Sequence, residues 1–378
     1  MTAAHFVGAG MTDFGKAPDR DSFQLGRAAV WAALADADLD PSRVEVAAFG
    51  HVYQGPSFGQ RVLGEMGLTG FPVINVENAC ASGGQAVAVV ASMIMAGQVD
   101  VGIAAGAEKL TGGGGFLPVV AQDLESSQGR VLPAAFAMMA QRYLRTYGAT
   151  LEQLAAVSVK NSKNASLNPQ IPAARPFSLS EVLDSPVIAE PLTRLMCCPV
   201  SDGAAAVVMV SDRVVSEFDG RHAELGASVI NSGLRTKYGI SDIASEMSER
   251  AARDAYRAAG VGPDDIDVCE THDPFSIAEI VHYEDLGFCA RGEGARFVAE
   301  GRSDIDGEVA VSPSGGLLAR GHPLGATGVA QIAEIFWQLN GEAGDRQVAN
   351  ARVGLAHALG GGVTGIESGA CSVHILKR

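Results

Sequence analysis

The sequence predicts an α/β fold built from two similar halves. Three observations carry that expectation. Strand-like and helix-like runs alternate along the chain, the second half repeats the phrasing of the first, and 46 glycines with abundant alanine permit close backbone packing.

Taken in order, HFVGAGM reads as a first strand and SFQLGRAAVWAALADADL as an amphipathic helix with Ser22 as its N-cap. VEVAAFGHVY and FPVINVENA follow as strands, then a helix after Cys80, then the strand VDVGIAAGAE. Such alternation predicts a parallel sheet covered by helices. In the second half, ASEMSERAARDAYRAAGVGPDDIDVCETHD is again helix, turn and strand. GHPLGATGVAQIAEIFWQLNG mirrors NACASGGQAVAVVASMIMAG, and RVGLAHALGGG mirrors DVGIAAGAEK. The period is far too long for a solenoid, so a duplicated unit is expected, with halves at residues 1–220 and 221–378. Residues from about 110 to 196 have no counterpart and read as an insertion that caps a site built by both halves. The matching helix-entry turns would then face each other and bring Cys80 to His322.

The bulk properties exclude several classes. A net charge of −15 argues against a nucleic-acid partner, and 47% hydrophobic residues exclude a disordered chain. The apolar run after Gly84 is interrupted by Gln85, Ser92, Gln98 and Asp100, which makes it core rather than a membrane span. The N-terminal stretch lacks the build of a signal peptide. The six cysteines show no CxxC spacing, as expected of reduced thiols in a cytoplasmic protein.

Cys80 stands at the start of a helix, where free N–H groups and the helix dipole would lower a thiol pKa. Gly83 and Gly84 would let a substrate approach the backbone. The alternative is a buried structural cysteine. His322, between Gly321 and Pro323, is held at a rigid turn and has the chemistry of a base and later an acid, unless it only bonds backbone. His272 follows a strand end, where α/β sheets place ligands, though Glu270 and Asp273 equally suit a structural cluster. Gly360–Gly362 also follow a strand, as an N–H nest or a plain turn. Cys197 and Cys198 read as core, and His357 as packing. The remaining histidines show no metal-ligand spacing, the run Gly112–Gly115 is unspecific, and neither a phosphate loop nor a GxSxG elbow is present.

NVENACASGGQA, HDPF, GHPLGATG and the terminal GGG, in this order, resemble the motif set of the thiolase superfamily. MCCPVSDGAAAV, HYEDLGFCARGEG and PSGGLLARGHPLGATG look most like archaeal and sterol-carrier-protein-type thiolases. The resemblance implies two βαβαβ-type halves in an α/β/α/β/α layering with an inserted loop domain. It implies acyl transfer between coenzyme A thioesters, with Cys80 as the acylated nucleophile and His322 activating it and helping to form an oxyanion site. His272 would polarise the second thioester carbonyl, the N–H groups of Cys80 and Gly360 would form the other oxyanion hole, and Phe275 would line the pocket. The loop domain would cover coenzyme A, with Lys160, Lys163, Arg175 and Arg194 as phosphate candidates that no motif supports. Acyl-CoA is a substrate here, and no metal or organic cofactor is implied. A homodimer or tetramer is implied, and some relatives act with a small zinc-ribbon/OB-fold partner.

Three positions depart from the pattern. Ala358 and Pro274 stand where relatives carry a second cysteine, and Ser312 replaces the usual Asn of NPSGG. Two alternatives therefore stay open: C-acyl transfer to an aromatic acceptor or retro-aldol cleavage with a partner, and non-catalytic binding of acyl-CoA or lipid.

Overall fold

A computed structural model of the chain describes residues 2–112, 124–218, 220–234, 243–362 and 368–378. The first half runs β1 (Ala4–Met11), α1 (Ser22–Asp36), β2 (Val46–Gly50), α2 (Phe58–Gly64), β3 (Val73–Val76), α3 (Ser82–Met95) and β4 (Val101–Glu108). The insertion follows with α4 (Leu124–Ser127), α5 (Leu132–Tyr147), α6 (Leu151–Ala165), α7 (Leu179–Leu183) and the hairpin β5 (Val187–Ala189) and β6 (Leu192–Thr193). Residues 113–123 of it, including Gly113–Gly115 of the glycine run, lie outside the described residues. After β7 (Gly203–Ser211) the second half runs β8 (Ala223–Asn231), α8 (Glu246–Ala259), β9 (Val268–Glu270), α9 (Ser276–Asp285), α10 (Gly294–Ala299) and β10 (Ala310–Val311). It closes with α11 (Gly316–Arg320), α12 (Leu324–Asn340), β11 (Val353–Gly360) and β12 (Ala370–Lys377).

The strand order is β10-β9-β11-β12-β8-β1-β7-β4-β2-β3. Read outward from the centre, each half places its first, last, fourth, second and third strand in turn, so the duplication read from the repeats is a property of the fold. The sheet is not parallel throughout, which corrects the expectation. Only the outer three strands of each half run parallel, and the five inner pairings are antiparallel. Loop length explains part of this. Residues 361–369 between β11 and β12 are too few for the helical crossover a parallel pair requires. Within the sheet the halves are joined by two residue pairs of β1 and β8.

Three apolar clusters fill the spaces between layers. One joins α1 and α2 to one face of the first-half strands, and a second wraps α8, α9 and the insertion onto the second-half strands. The third surrounds α3 and α12 between the inner strand faces. Strand β7 shows the division: Ala204, Ala206, Val208 and Val210 face the outer cluster, and Ala205, Val207 and Met209 the central one. Helix α1 starts one residue earlier than expected. Asp21, not Ser22, is its N-cap, in a capping box with Gln24.

The central helix pair is what joins the halves at the site. Here Gly83 and Gly84 serve packing and do not face a substrate, against expectation. A Cβ on Gly83 would lie 2.8 Å from the Gly325 oxygen, and one on Gly328 would lie 2.3 Å from the Gly84 nitrogen. The start of α12 is thus seated on α3 and on the strand ends at Gly50 and Gly106. Gly328→Ala decides between two effects. Helix propensity favours alanine by about 1 kcal/mol. The added methyl, however, meets backbone that cannot swing aside, an overpacking cost of about 1–3 kcal/mol or more. We expect net destabilisation and a lowered thermal midpoint, and an unchanged or raised midpoint would refute this account of the crossing.

Candidate active site

Cys80 leaves β3 on a tight turn rather than on the helix itself. Ala79 adopts the left-handed conformation (φ 48°), the Asn78 carbonyl accepts from Ala81 N–H, and the Ala79 carbonyl accepts from Ser82 N–H and its hydroxyl. A left-handed alanine costs on the order of 1 kcal/mol, held here by those bonds. The helix cap is Ala81, so Cys80 precedes the first turn of α3.

His322 reaches the same place from the second half. Gly321 takes φ 86° and is wedged against Ser201 and the Pro199 carbonyl, where a Cβ would lie 2.2 Å from the Ser201 hydroxyl oxygen. This close approach turns the chain so that His322 enters the cavity before α12 begins. Glu108, at the end of β4, anchors the turn by accepting from Gly325, Val52 and Tyr53 N–H groups and from Gln54. His272 follows β9 and meets the His322 ring edge to face, with centroids 5.0 Å apart.

The Cys80 sulfur and one ring nitrogen of each histidine all lie within 4.8 Å of one another, and all three residues are buried. The facing of the two helix-entry turns expected from the repeat is therefore observed. This N/S donor set would also accept a soft metal ion.

The electrostatics differ from expectation. Burial pushes the Cys80 thiol up to about 12, opposed by the N–H groups of Gly361 and of Cys80 itself, and reinforced by the Glu108 and Glu77 charges. A thiol lowered by a helix terminus is thus overturned, because Cys80 is enclosed and sits ahead of that terminus. At neutral pH it is a protonated thiol and needs a base in contact. His322 is suited to that task. Burial, with the Arg320 charge second, holds it down at about 3, so it stays neutral. Its tautomer follows from its partners. The Thr327 hydroxyl donates to the Pro323 carbonyl at 3.0 Å, so it accepts from His322 Nδ1–H at 2.7 Å. Nε2 is then the basic nitrogen, buried and without a protein partner among the described residues. His272 is also held neutral, by burial and then by the neighbouring histidines, with Nδ1 unpartnered among the described residues.

The backbone N–H that reaches the Cys80 sulfur from β11 is that of Gly361, one residue beyond the expected Gly360. Gly360 instead packs flush on the Cys80 turn, where a Cβ would lie 2.1 Å from the Asn78 carbonyl oxygen. Phe275 lies on the cavity wall, stacked on Phe136 of the insertion at 4.4 Å. The cavity measures about 1480 Å³ and is walled by both halves and by α5 and α6. Cys197 and Cys198 also line it, so reading them as plain core was incomplete. His357 is the packing residue expected, bonded to the Ser248 and Thr271 hydroxyls. Lys160 is removed from the phosphate candidates, since it is buried, donates to the Val311 carbonyl and pairs with Glu279 at 2.8 Å. Arg175 and Arg194 remain on the cavity wall. Sequence reasoning missed Thr327 and Glu108. A threonine five residues after His322, on the first turn of the helix that follows it, was the available signal for the first, and Glu108 had none.

Family models for "Thiolase, N-terminal domain" and "Thiolase C-terminal domain-like" match residues 4–213 and 235–376. The chain belongs to the thiolase family. Together with the acetyltransferase and thiolase relatives that follow, this makes the chain an acyltransferase. It is 41% identical to an acetyl-CoA acetyltransferase of Methanothermobacter thermautotrophicus, with 98% of each chain covered. It is 38% identical to the benzoylsuccinyl-CoA thiolase subunit BbsB of Thauera aromatica over 95% of this chain and 94% of that one. Sterol carrier protein 2 of Bos taurus is 38% identical over 94% of this chain and 69% of that protein. Among solved structures, the Ltp2-ChsH2(DUF35) aldolase superposes with a TM-score of 0.83 at 28% identity, covering 98% and 97%. Among the described residues no helix is long and apolar enough to cross a membrane.

Proposed function

We propose that this thiolase-family chain carries an acyl group on Cys80 and either joins two acyl-CoA molecules or cleaves a 3-ketoacyl-CoA with coenzyme A. The observation that carries the reading is the convergence of the Cys80 sulfur with His272 and His322 on the wall of one large cavity. In the first step His322 Nε2 takes the thiol proton as sulfur bonds to the thioester carbon. The carbon–sulfur bond to coenzyme A breaks, and its thiolate recovers the proton from His322. Oxygen charge that builds in this step is met by the N–H groups of Cys80 and Gly361. In the second step the neutral His322 Nε2 takes an α-proton from another acyl-CoA, and the resulting carbon bonds to the acyl carbon. The bond from the acyl carbon to the Cys80 sulfur breaks, and the sulfur recovers the proton from His322. His272 is the group placed to hold the enolate oxygen. The scheme uses coenzyme A thioesters and calls for no other cofactor.

The test is incubation with a panel of acyl-CoAs followed by peptide mass spectrometry. An acyl mass on Cys80 supports the reading, and its absence with every acyl-CoA would sink it. A step-specific prediction accompanies it: His272→Ala should leave acyl-Cys80 formation within about tenfold while slowing carbon–carbon bond formation by on the order of 10²–10³-fold, the scale of one lost oxyanion donor. Equal loss in both steps would remove His272 from that role.

A second reading, retro-aldol cleavage with a partner protein, is favoured by the likeness to the Ltp2-ChsH2(DUF35) aldolase. It makes no use of an acylated Cys80, so the same mass measurement separates the two.

A further inference from the structure

Arg320 is the last residue of α11, two positions before His322, and only 2% of it is exposed. Its Nε, Nη1 and Nη2 all lack a hydrogen-bond partner among the described residues. The side chain nevertheless lines the cavity that holds Cys80. One face of the guanidinium lies over the Phe14 ring, 5.3 Å from its centroid, which leaves the N–H edges to meet something else. Glu270, the buried acid its charge reaches, accepts instead from the Ser314 N–H and hydroxyl. The Ser201 hydroxyl, beside the same turn and on the same wall, is likewise buried without a partner.

An enclosed guanidinium with no acceptor among the described residues is costly to desolvate unless a ligand completes it. A planar carboxylate matches its fork and leaves room for a third donor such as Ser201. We infer that Arg320, with Ser201, forms a subsite for a carboxylate carried on the acyl group, so that the preferred substrates are anionic acyl-CoAs. This rests on the acyltransferase reading for the placement of the acyl chain. The phosphates of coenzyme A are common to both members of an acid and ester pair, so such a pair isolates the carboxylate.

The test compares binding in pairs. Succinyl-, glutaryl- and adipyl-CoA would each be titrated calorimetrically against their monomethyl esters, using Cys80→Ala protein so that acylation does not intervene. At least one carboxylate should bind tighter than its ester by about 10–100-fold, the worth of a charge-assisted bidentate pair. The added change Arg320→Gln should bring that ratio to about one, and Arg320→Lys should restore part of it. Arg320→Met should melt no lower than the parent protein, since it removes an unpaired buried charge, and this shows that the loss of preference is not misfolding. Ratios near one for all three pairs, or a preference that survives Arg320→Gln, overturn the subsite. A clear ratio together with no acyl-Cys80 in the unmutated protein would instead sink the acyltransferase reading and leave the subsite standing.

Discussion

Cys80→Ala should abolish acyl-enzyme formation and lower turnover by on the order of 10⁴-fold or more, as expected when a covalent nucleophile is lost. The argument is one of position. Cys80 is the thiol placed by the left-handed Ala79 turn within reach of two neutral histidines and two N–H donors. Alanine keeps the small apolar contact with Leu110 and Leu324, so the fold should survive and acyl-CoA should still bind. That separates the reading from a binding protein, in which the substitution changes nothing that is measured. Peptide mapping of acylated protein alongside calorimetric binding gives both readouts. Turnover within tenfold of the parent would end the assignment.

His322→Ala should slow acylation of Cys80 by about 10²–10⁴-fold, the usual worth of a positioned general base. The pH dependence is the sharper readout. His322 works as a base only when neutral, and burial holds it down at about 3. Acylation in the parent protein should therefore be flat from pH 5 to 8, with no limb near 6.5, the ordinary histidine value. Without His322, reaction depends on the small fraction of thiolate. The rate should then rise about tenfold per pH unit toward the raised thiol value of about 12. Rapid-quench acylation followed by mass spectrometry measures both profiles. A parent profile with a limb between pH 6 and 7, or no slope in the variant, would refute the base assignment.

Much of this was legible along the chain. Strand and helix runs were readable because α3 and β4 are dense apolar runs bounded by Gly and Asp, and their length, 14 residues against 8, separates the two element types. The repeat was readable because in both halves a run rich in small residues leads into a helix, α3 or α12. Strand direction was not. The antiparallel pairing of β4 with β7 depends on where the chain re-enters after the insertion, which no local pattern encodes. Nor were the partners of Lys160 and Glu108, since each is a question of which neighbour stands opposite, whereas the capping box of Asp21 with Gln24 is a local pattern that the sequence does carry.

By itself, then, the sequence determined the duplicated α/β plan, the placement of Cys80, His272 and His322 at element ends, and the kinship their motifs carry. These rest on spacing and residue type, which are local. Only the tertiary structure decided the ionisation of those groups, the tautomer of His322, the use of Gly361 rather than Gly360, and the burial of Arg320 in the cavity wall. The tautomer turns on the local geometry of Thr327 and Pro323, and the others on burial and on residues distant in the chain. Desolvation of a thiol or a guanidinium is a property of the enclosure, and the enclosure exists only once two helices from opposite halves have met on their glycines.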